Sequence, residues 1–259
     1  MSVIFFNREE NMSKLSQIIQ GQSLGPPRVL IYGPAGVGKT TFAASAKNPI
    51  FIQTEDGADV VGGARFPLAK SFQDVEDAIS SLAQEKHDYN TVVVDSLDWL
   101  ENLIHAEVCK SEKVSSIEQI GYAKGYVYAL NYWRRFLAGL TTLRDMGMAC
   151  VLIAHSEIKR FENPESEGYD RYQIKLHKSA SNLCQEFCDL IGFATYHTST
   201  KQIDGGFGRK ITRAVGTGER VLRTAESPAF IAKSRYAIPA ELPLDWPTLV
   251  KEMTENKEI

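Results

Sequence analysis

Residues 33–40 have the composition and spacing of a loop that binds phosphate groups. They read Gly-Pro-Ala-Gly-Val-Gly-Lys-Thr, which matches the pattern G-x-x-x-x-G-K-[ST], and an apolar run leads directly into them. In such a loop the glycines let backbone N–H groups turn toward phosphate oxygens, while Lys39 reaches the outer phosphates and the Thr40 hydroxyl can ligate Mg²⁺. The sequence therefore predicts a site for ATP and Mg²⁺. The predicted nucleotide-binding residues are Gly33, Pro34, Ala35, Gly36, Val37, Gly38, Lys39, Thr40 and Thr41.

Asp95 is the second residue predicted to serve the metal, together with Thr40. It ends the apolar segment at residues 91–95, where a Walker B carboxylate would organise the water shell of the ion. Many ATPases place a Glu directly after this Asp to activate water, whereas the next residue here is Ser96. The group that activates water must therefore come from another segment.

Glu55 and His155 are the candidates for catalysis besides Lys39. Each follows a predicted strand, and the carboxyl ends of neighbouring parallel strands converge beside the phosphates. Glu55 could orient the attacking water, with Asp56 as the nearest rival and a solvated acid as the plain alternative. His155 is either a solvated loop histidine or a group that senses the γ-phosphate.

These side chains require a parallel sheet to bring them together. Short, nearly all-apolar segments alternate with stretches of helical spacing, which is typical of a doubly wound α/β fold. The strands are predicted at residues 29–32, 50–53, 91–95 and 149–154, and the helices at residues 40–47, 72–86 and 121–145.

After residue 190 the pattern changes to that of antiparallel hairpins. Apolar segments at residues 193–203, 211–215 and 220–223 are separated by glycine-containing turns at 204–206 and 216–218. We therefore expect a mostly parallel sheet with flanking helices and a C-terminal antiparallel extension.

The length and composition indicate one domain of ordinary size. The chain has 259 residues, is 43% apolar and carries a net charge of −3. We divide residues 1–259 into an N-terminal segment (1–26), a core (27–200), a hairpin extension (201–236) and a C-terminal tail (237–259), whose acidic part after residue 244 we expect to be a frayed terminus. No apolar stretch is long enough to span a membrane, and the first ten residues do not resemble a signal peptide, so we expect a cytoplasmic protein. The four cysteines are expected to be reduced packing residues.

The phosphate loop, the Val-Val-Val-Asp-Ser strand and the strand ending in a polar residue resemble the ATPase core of the RecA-type recombinases. Over residues 27–236 the chain is most similar to the short phage-encoded members of that superfamily, which are single-strand annealing or recombination proteins. The resemblance implies a RecA-like P-loop NTPase fold, a catalytic role for Glu55, and an adenine contact for Asp59. The recombinases usually carry Gln where this chain has His155.

The resemblance also implies two DNA-binding loops, near residues 109–124 and 156–178. The second lacks periodicity and is long for a loop, which is typical of a functional segment. Its basic residues are matched by nearby acids, so it has no net charge that would attract phosphates, although its aromatic side chains could stack on unpaired bases. The candidate DNA contacts are Lys159, Arg160, Phe161, Arg171, Tyr172, Lys175 and Lys178.

Lys233 and Arg235 are candidates for catalysis in trans. They lie in a basic stretch, residues 201–235, and resemble the recombinase residues that reach the ATP of a neighbouring subunit. Cations supplied in this way would stabilise the transferring phosphoryl group and make hydrolysis depend on assembly. The alternative is salt bridging within the subunit.

The expected function is that of an ATPase that assembles head to tail on single-stranded DNA and promotes annealing or recombination. The expected partners are single-stranded DNA and further copies of the chain, with a single-stranded DNA-binding protein as an additional candidate. A DNA-binding filament module with incidental hydrolysis is the main alternative. A small-molecule kinase and a ring helicase motor are less well supported, because we find neither an Arg-rich lid nor a second domain.

Overall fold

The computed structural model describes residues 25–57, 62–163, 167–204 and 210–255, with only the backbone described at 198–204 and 210–217. Within these ranges one mixed sheet holds ten strands, and the order across its main path is β10-β8-β7-β1-β5-β4-β2-β3. The strands are β1 (Arg28–Gly33), β2 (Pro49–Gln53), β3 (Ala64–Arg65), β4 (Thr91–Asp95), β5 (Ala149–Phe161), β6 (Tyr169–Ile174), β7 (Leu190–Asp204), β8 (Lys210–Arg223), β9 (Lys233–Ser234) and β10 (Glu241–Pro243). Strands β6 and β9 pair with β5 and β7.

Helices cover both faces of the sheet. They are α1 (Lys39–Ala44), α2 (Phe72–Gln84), α3 (Leu97–Glu112), α4 (Lys124–Asp145), α5 (Lys178–Phe187) and α6 (Trp246–Glu255). Since alternate residues of a strand point to opposite faces, Leu30 and Tyr32 of β1 pack in one core with α2 to α5, while Val29 and Ile31 pack in a second core with α1 and α6. Burial on both faces explains why the central strands are almost entirely apolar.

The central strands run parallel, as their composition predicts. β1 pairs with β5 and β7, and β4 pairs with β2 and β5, all in parallel register. β7 and β8 then form a long antiparallel hairpin, and β10 adds to β8. The predicted fold class, a mostly parallel sheet with flanking helices and an antiparallel extension, is confirmed.

Three details of the prediction are wrong. Residues 216–218 do not form a turn, because they lie inside β8, where the ladder has an irregularity opposite Tyr196 and Thr198. The division of the chain placed the start of the hairpin extension at residue 201, whereas β7 already begins at Leu190, close to the segment predicted from residue 193. The tail is not frayed between residues 246 and 255, since α6 buries Trp246, Leu249 and Met253 in the second core.

The second predicted DNA-binding loop is also mostly regular structure. Residues 156–161 and 169–174 pair as antiparallel strands of β5 and β6, which we call the β5–β6 hairpin. Sequence periodicity missed it because the exposed part of β5 alternates polar and apolar residues only briefly, at Glu157 and Ile158.

Cysteine residues of this chain form no disulfide within the described ranges. Cys150, Cys184 and Cys188 are buried and Cys109 is half-buried. None of the helices in the described part of the chain has the length and apolarity needed to cross a membrane.

Candidate nucleotide-binding site

The carboxyl ends of four central strands meet at one edge of the sheet, which we call the carboxyl edge. The register pairs Gly33 of β1 with His155 of β5, and Asp95 of β4 with Gln53 of β2. The parallel ladder therefore brings the residues that follow β1, β2 and β4 close to His155. This is the geometry from which Glu55 and His155 were predicted.

The phosphate loop, residues 33–40, follows β1 at this edge. Gly36 and Gly38 have φ angles of 75° and 103°, in the left-handed region that glycine tolerates without strain. A Cβ atom at Gly33 would collide with the carbonyl oxygen of Ala194 in β7, so the loop can leave the sheet only as glycine. Both the turn and the close approach account for glycine at these positions.

Lys39 lies within the phosphate loop and is the first residue of α1. Its Nζ atom donates hydrogen bonds to the carbonyl oxygens of Gly33 and Pro34, at 3.0 and 2.9 Å, and the residue is 6% exposed. Burial lowers the pKa of Lys39, and the nearby carboxylates of Asp95 and Glu55 oppose this shift. The ammonium group is therefore held in place within the loop.

Thr40 and Asp95 form the predicted metal pair. The Thr40 hydroxyl donates a hydrogen bond of 2.7 Å to Oδ2 of Asp95, and burial raises the pKa of that carboxyl group. Hydroxyl and carboxylate oxygens are the hard ligands that Mg²⁺ prefers. Thr40 and Asp95 thus fit a magnesium ion both by their chemistry and by their proximity.

Glu55 faces the same space. Its carboxylate accepts a hydrogen bond of 2.9 Å from the Ser96 hydroxyl, and the Thr54 hydroxyl donates to the carbonyl oxygen of Ser96 at 2.6 Å. These bonds connect the residues after β2 to Ser96, the residue after β4. The peptide bond between Asp95 and Ser96 is cis. The alternative acid, Asp56, is exposed and does not line the pocket.

His155 is held by Asp98, a residue that sequence reasoning missed. The Asp98 carboxylate lies 3.0 Å from Nδ1 of His155 and accepts a second hydrogen bond of 3.1 Å from the backbone N–H of His155. Although burial pushes the pKa of Asp98 upward, these bonds hold it below its ordinary value. The signal that could have found Asp98 is its place three residues after Asp95, on the first turn of α3.

The side chains described above line one pocket of about 300 Å³. Nδ1 of His155 is 3.8 Å from Oε2 of Glu55 on one side of it. Arg220 of β8, which sequence reasoning did not single out, lines the same pocket. The complete lining is Gly36, Gly38, Lys39, Thr40, Thr41, Glu55, Gly57, Asp95, His155 and Arg220.

Lys233 and Arg235 lie away from this pocket. β9 pairs with the first residues of β7, beside the start of β1, so both residues lie at the opposite edge of the sheet, which we call the amino edge. Lys233 donates to the carbonyl oxygens of Gln185 and Cys188, at 2.7 and 3.0 Å, and Arg235 forms an ion pair of 2.9 Å with Asp189. The ion pair of Arg235 is the contact expected of the alternative, salt bridging within the subunit, whereas Lys233 is hydrogen-bonded to backbone carbonyls instead.

The candidate DNA contacts divide into exposed and buried side chains. Lys159 and Arg160 are exposed on the β5–β6 hairpin, and Lys175 and Lys178 are exposed just after it. Arg171 is instead 8% exposed, because its guanidinium binds Glu226 and the carbonyl oxygen of Phe230.

The aromatic candidates on the hairpin are already partly packed. The Phe161 ring contacts Tyr169, and the Tyr172 ring stacks on Phe193 while remaining 38% exposed. Asp59, the predicted adenine contact, lies outside the described residues.

The mostly parallel sheet with flanking helices and the phosphate loop at its carboxyl edge define a P-loop nucleotide-binding fold. A family model described as an AAA domain matches residues 25–236, and the chain belongs to that family. It is also similar to the SPbeta prophage-derived uncharacterized protein YorG of Bacillus subtilis (strain 168), with 25% identity over 134 residues that cover 49% of this chain and 40% of YorG. The chain thus matches less than half the length of that relative. Among solved structures it is similar to the RadB recombinase, with 18% identity, a TM-score of 0.41, and coverage of 77% of this chain and 80% of RadB.

Proposed function

We propose that the chain hydrolyses ATP with Mg²⁺, assembles head to tail on single-stranded DNA, and promotes annealing or strand exchange. The observation that carries the hydrolytic part is the meeting of Lys39, Thr40, Asp95, Glu55 and His155 around one pocket at the carboxyl edge. Their types support the proposal, since phosphoryl transfer uses a cation at the phosphates, a hydroxyl and a carboxylate for the metal, and a further group that positions the water.

Glu55 is the residue proposed to orient the attacking water. The water oxygen bonds to the γ-phosphorus as the bond from that phosphorus to the β-phosphate oxygen breaks, and the electron pair of the broken bond stays on the β-phosphate. The proton of the water passes to the Glu55 carboxylate or to a phosphate oxygen. Mg²⁺, when bound, neutralises charge on the β- and γ-phosphates, and Lys39 adds a fixed positive charge beside them.

His155 is proposed to sense the γ-phosphate. An ionised carboxylate can only accept hydrogen bonds, so the contact with Asp98 assigns a proton of the imidazole to Nδ1. A hydrogen bond from Nε2 to a γ-phosphate oxygen then requires the imidazolium form, in which both ring nitrogens donate. Asp98 is thus a positioning residue for His155. Because Lys175 donates its backbone N–H to the carbonyl oxygen of His155 at 2.9 Å, a shift of His155 would move the base of the β5–β6 hairpin.

DNA binding is proposed for the β5–β6 hairpin and the turn after it. Lys159 and Arg160 are paired with Glu157 and Glu162, at 2.7 and 3.3 Å, but both basic side chains are at least half exposed. Exposed ion pairs contribute between about 0 and 1 kcal/mol, so phosphate groups can replace the acids at little cost. Lys175 and Lys178, which form no ion pair within the described residues, add two further cations.

Hydrolysis of ATP with and without single-stranded DNA tests the proposal. We expect Mg²⁺-dependent turnover that rises with DNA, and filaments or rings on DNA in electron micrographs taken with a non-hydrolysable ATP analogue. Tight ATP-dependent DNA binding without any stimulation would instead favour the binding module. Absence of both binding and turnover would contradict the whole proposal.

The hairpin has its own test. The double variant Lys159→Ala, Arg160→Ala should bind single-stranded DNA more weakly, and the slope of log affinity against log salt should flatten by about 1.4, as expected for two lost phosphate contacts. A matched double variant at two exposed lysines elsewhere, Lys86→Ala and Lys251→Ala, should leave the slope unchanged. Equal slopes for both double variants would remove the hairpin from the DNA site.

A further inference from the structure

Arg220 lies directly over the phosphate loop. Its Nη1 atom is 2.7 Å from the position that a Cβ atom on Gly38 would occupy, and its Cδ and Cζ atoms are 3.6 Å from that position. The residue is exposed and lines the pocket that also contains Glu55 and His155. In the sheet, β8 lies on one side of β1 and the strands β4 and β2 lie on the other, so Arg220 reaches the phosphate loop from the side of β7 and β8.

The backbone of Arg220 is anchored to the strand that precedes the phosphate loop. Arg220 pairs with Tyr196 of β7, and β7 pairs in parallel with β1 through residues 190–193. The carbonyl oxygen of Arg220 also accepts a hydrogen bond of 3.0 Å from the backbone of Leu244. Its position over the loop thus follows from the sheet itself, not from a mobile connection.

Arg220 differs from Arg223 and Arg235 in forming no ion pair within the described residues. Arg223, three residues further along β8, forms an ion pair of 3.0 Å with Glu241, and Arg235 forms one with Asp189. Among the described residues, no carboxylate forms an ion pair with Arg220. An exposed, unpaired guanidinium contributes little to the stability of the fold, so its placement over the loop calls for an anionic ligand.

We propose that Arg220 is a catalytic residue that binds the β- and γ-phosphate oxygens of the nucleotide held by its own subunit. A planar guanidinium can donate two parallel hydrogen bonds to phosphate oxygens, which suits the charge that spreads over them during transfer. The inference rests on the proposed hydrolysis of ATP, and it names the cation of that site. Sequence resemblance gave the role of this phosphate-binding cation to Lys233 and Arg235 of a neighbouring subunit. The inference gives it instead to a residue of the subunit that holds the nucleotide.

Two measurements on Arg220→Ala test the assignment. The kcat of ATP hydrolysis should fall about 100-fold, as when a preorganised donor to developing charge is removed. The preference for a non-hydrolysable ATP analogue over ADP should fall about 10-fold, since the lost contact is to the terminal phosphates. Arg134→Ala, at an exposed arginine on α4, is the matched control and should change neither quantity.

The outcomes separate this inference from the proposed function. If the wild type does not hydrolyse ATP, the proposed hydrolysis fails, while the analogue preference of Arg220→Ala still reports on the phosphate contact. If the wild type hydrolyses ATP and Arg220→Ala matches the control in both quantities, Arg220 is not a catalytic residue. Arg220→Lys serves if the alanine variant is unstable, and it should give a kcat between those of the alanine variant and the wild type.

Mixed subunits test whether Arg220 acts within its own subunit. In a mixture of Arg220→Ala and Glu55→Gln subunits, each site lacks one of the two groups if both come from one subunit, so activity should remain the sum of the separate activities. Recovery of activity in the mixture would show that Arg220 acts across a subunit boundary, and it would overturn the assignment.

Discussion

The two edges of the central sheet carry the same kinds of charged residue but arrange them differently. At the amino edge, the Asp189 carboxylate binds Arg28 at 2.7 Å and Arg235 at 2.9 Å, with Arg144 3.9 Å away. At the carboxyl edge, Lys39 and Arg220 face Glu55 and Asp95 across a pocket of about 300 Å³. The amino edge is therefore a closed ionic network, while the carboxyl edge leaves space for a polyanion and a metal ion.

The pKa values of the acids also differ between the amino edge and the carboxyl edge. Burial alone would raise the pKa of Asp189, but the hydrogen bonds from Arg28 hold it below its ordinary value. Burial raises the pKa of Asp95, and the Thr40 hydroxyl only partly offsets this. The Asp189 carboxylate is thus neutralised by the chain itself, whereas no ion pair within the described residues includes Asp95, and Mg²⁺ would neutralise that carboxylate.

The largest expected effect is that of Lys39→Ala. Loss of the ammonium group beside the phosphates should lower ATP hydrolysis by at least about 1000-fold. The matched variant at the amino edge, Lys233→Ala, removes an ammonium group that is bonded to two backbone carbonyls and should retain hydrolysis. Steady-state turnover measured below the unfolding temperature checks both, and a similar loss in the two variants would remove the distinction between the edges.

Glu55→Gln is expected to separate binding from turnover. The amide keeps the shape and a hydrogen bond with Ser96 but cannot accept a proton, so hydrolysis should fall between about 100- and 1000-fold. Affinity for ATP, measured with a fluorescent analogue, should stay near that of the wild type. Asp56→Asn is the control for the neighbouring acid and should be fully active, whereas normal turnover in Glu55→Gln would exclude Glu55 from the mechanism.

Asp189→Asn is expected to destabilise the fold without affecting the pocket. Removing one partner of a buried ion pair costs about 3 kcal/mol of unfolding free energy, because Arg28 is left without its acid. Since the pKa of Asp189 is lowered in the folded state, this contribution is present above the ordinary Asp pKa and is lost as the pH falls through the folded value. Denaturant titrations at neutral and acidic pH should therefore show a difference from the wild type that shrinks in acid.

Glu101→Gln is expected to have the opposite pH dependence. Burial raises the pKa of Glu101 to about 7, although the His177 backbone N–H bonds to its carboxylate at 3.0 Å. A raised pKa means that the wild type loses stability as the pH rises from the ordinary Glu value through 7. The variant should thus gain about 2 kcal/mol relative to the wild type between pH 5 and pH 8. A difference that does not vary with pH would contradict the raised pKa.

The smallest effect is expected from Arg235→Ala. Its guanidinium is half exposed and shares Asp189 with Arg28, so its loss should cost about 1 kcal/mol or less. Subunits with this change should hydrolyse ATP normally, and mixing them with Glu55→Gln subunits should produce no recovery beyond the sum of the two activities. A large loss of hydrolysis, restored by mixing, would instead support catalysis in trans.

Local patterns in the sequence predicted the parts of the site that depend on adjacent residues. The phosphate loop, the strand ending in Asp95 and the position of Glu55 follow from short segments whose register in a parallel sheet is fixed by burial on both faces. The amphipathic spacing of Trp246, Leu249 and Met253 was also available and could have identified α6.

Other features depend on contacts between distant segments. Lys233 and Arg235 resemble residues of an ATP site, but the pairing of β9 with β7 places them beside Asp189 at the amino edge. Arg220 belongs to no motif, and only the anchoring of β7 to β1 brings it over Gly38. Neither arrangement could be read from spacing along the chain, because each is set by which strands become neighbours.

A structure of the chain with Mg²⁺, ADP and aluminium fluoride tests the central claim most directly. The account predicts the nucleotide in the loop of residues 33–40, Thr40 and Asp95 at the magnesium ion, Glu55 beside the water opposite the leaving phosphate, and the Arg220 guanidinium against the fluoride group. A nucleotide bound in that loop with the Glu55 side chain turned toward solvent would contradict it.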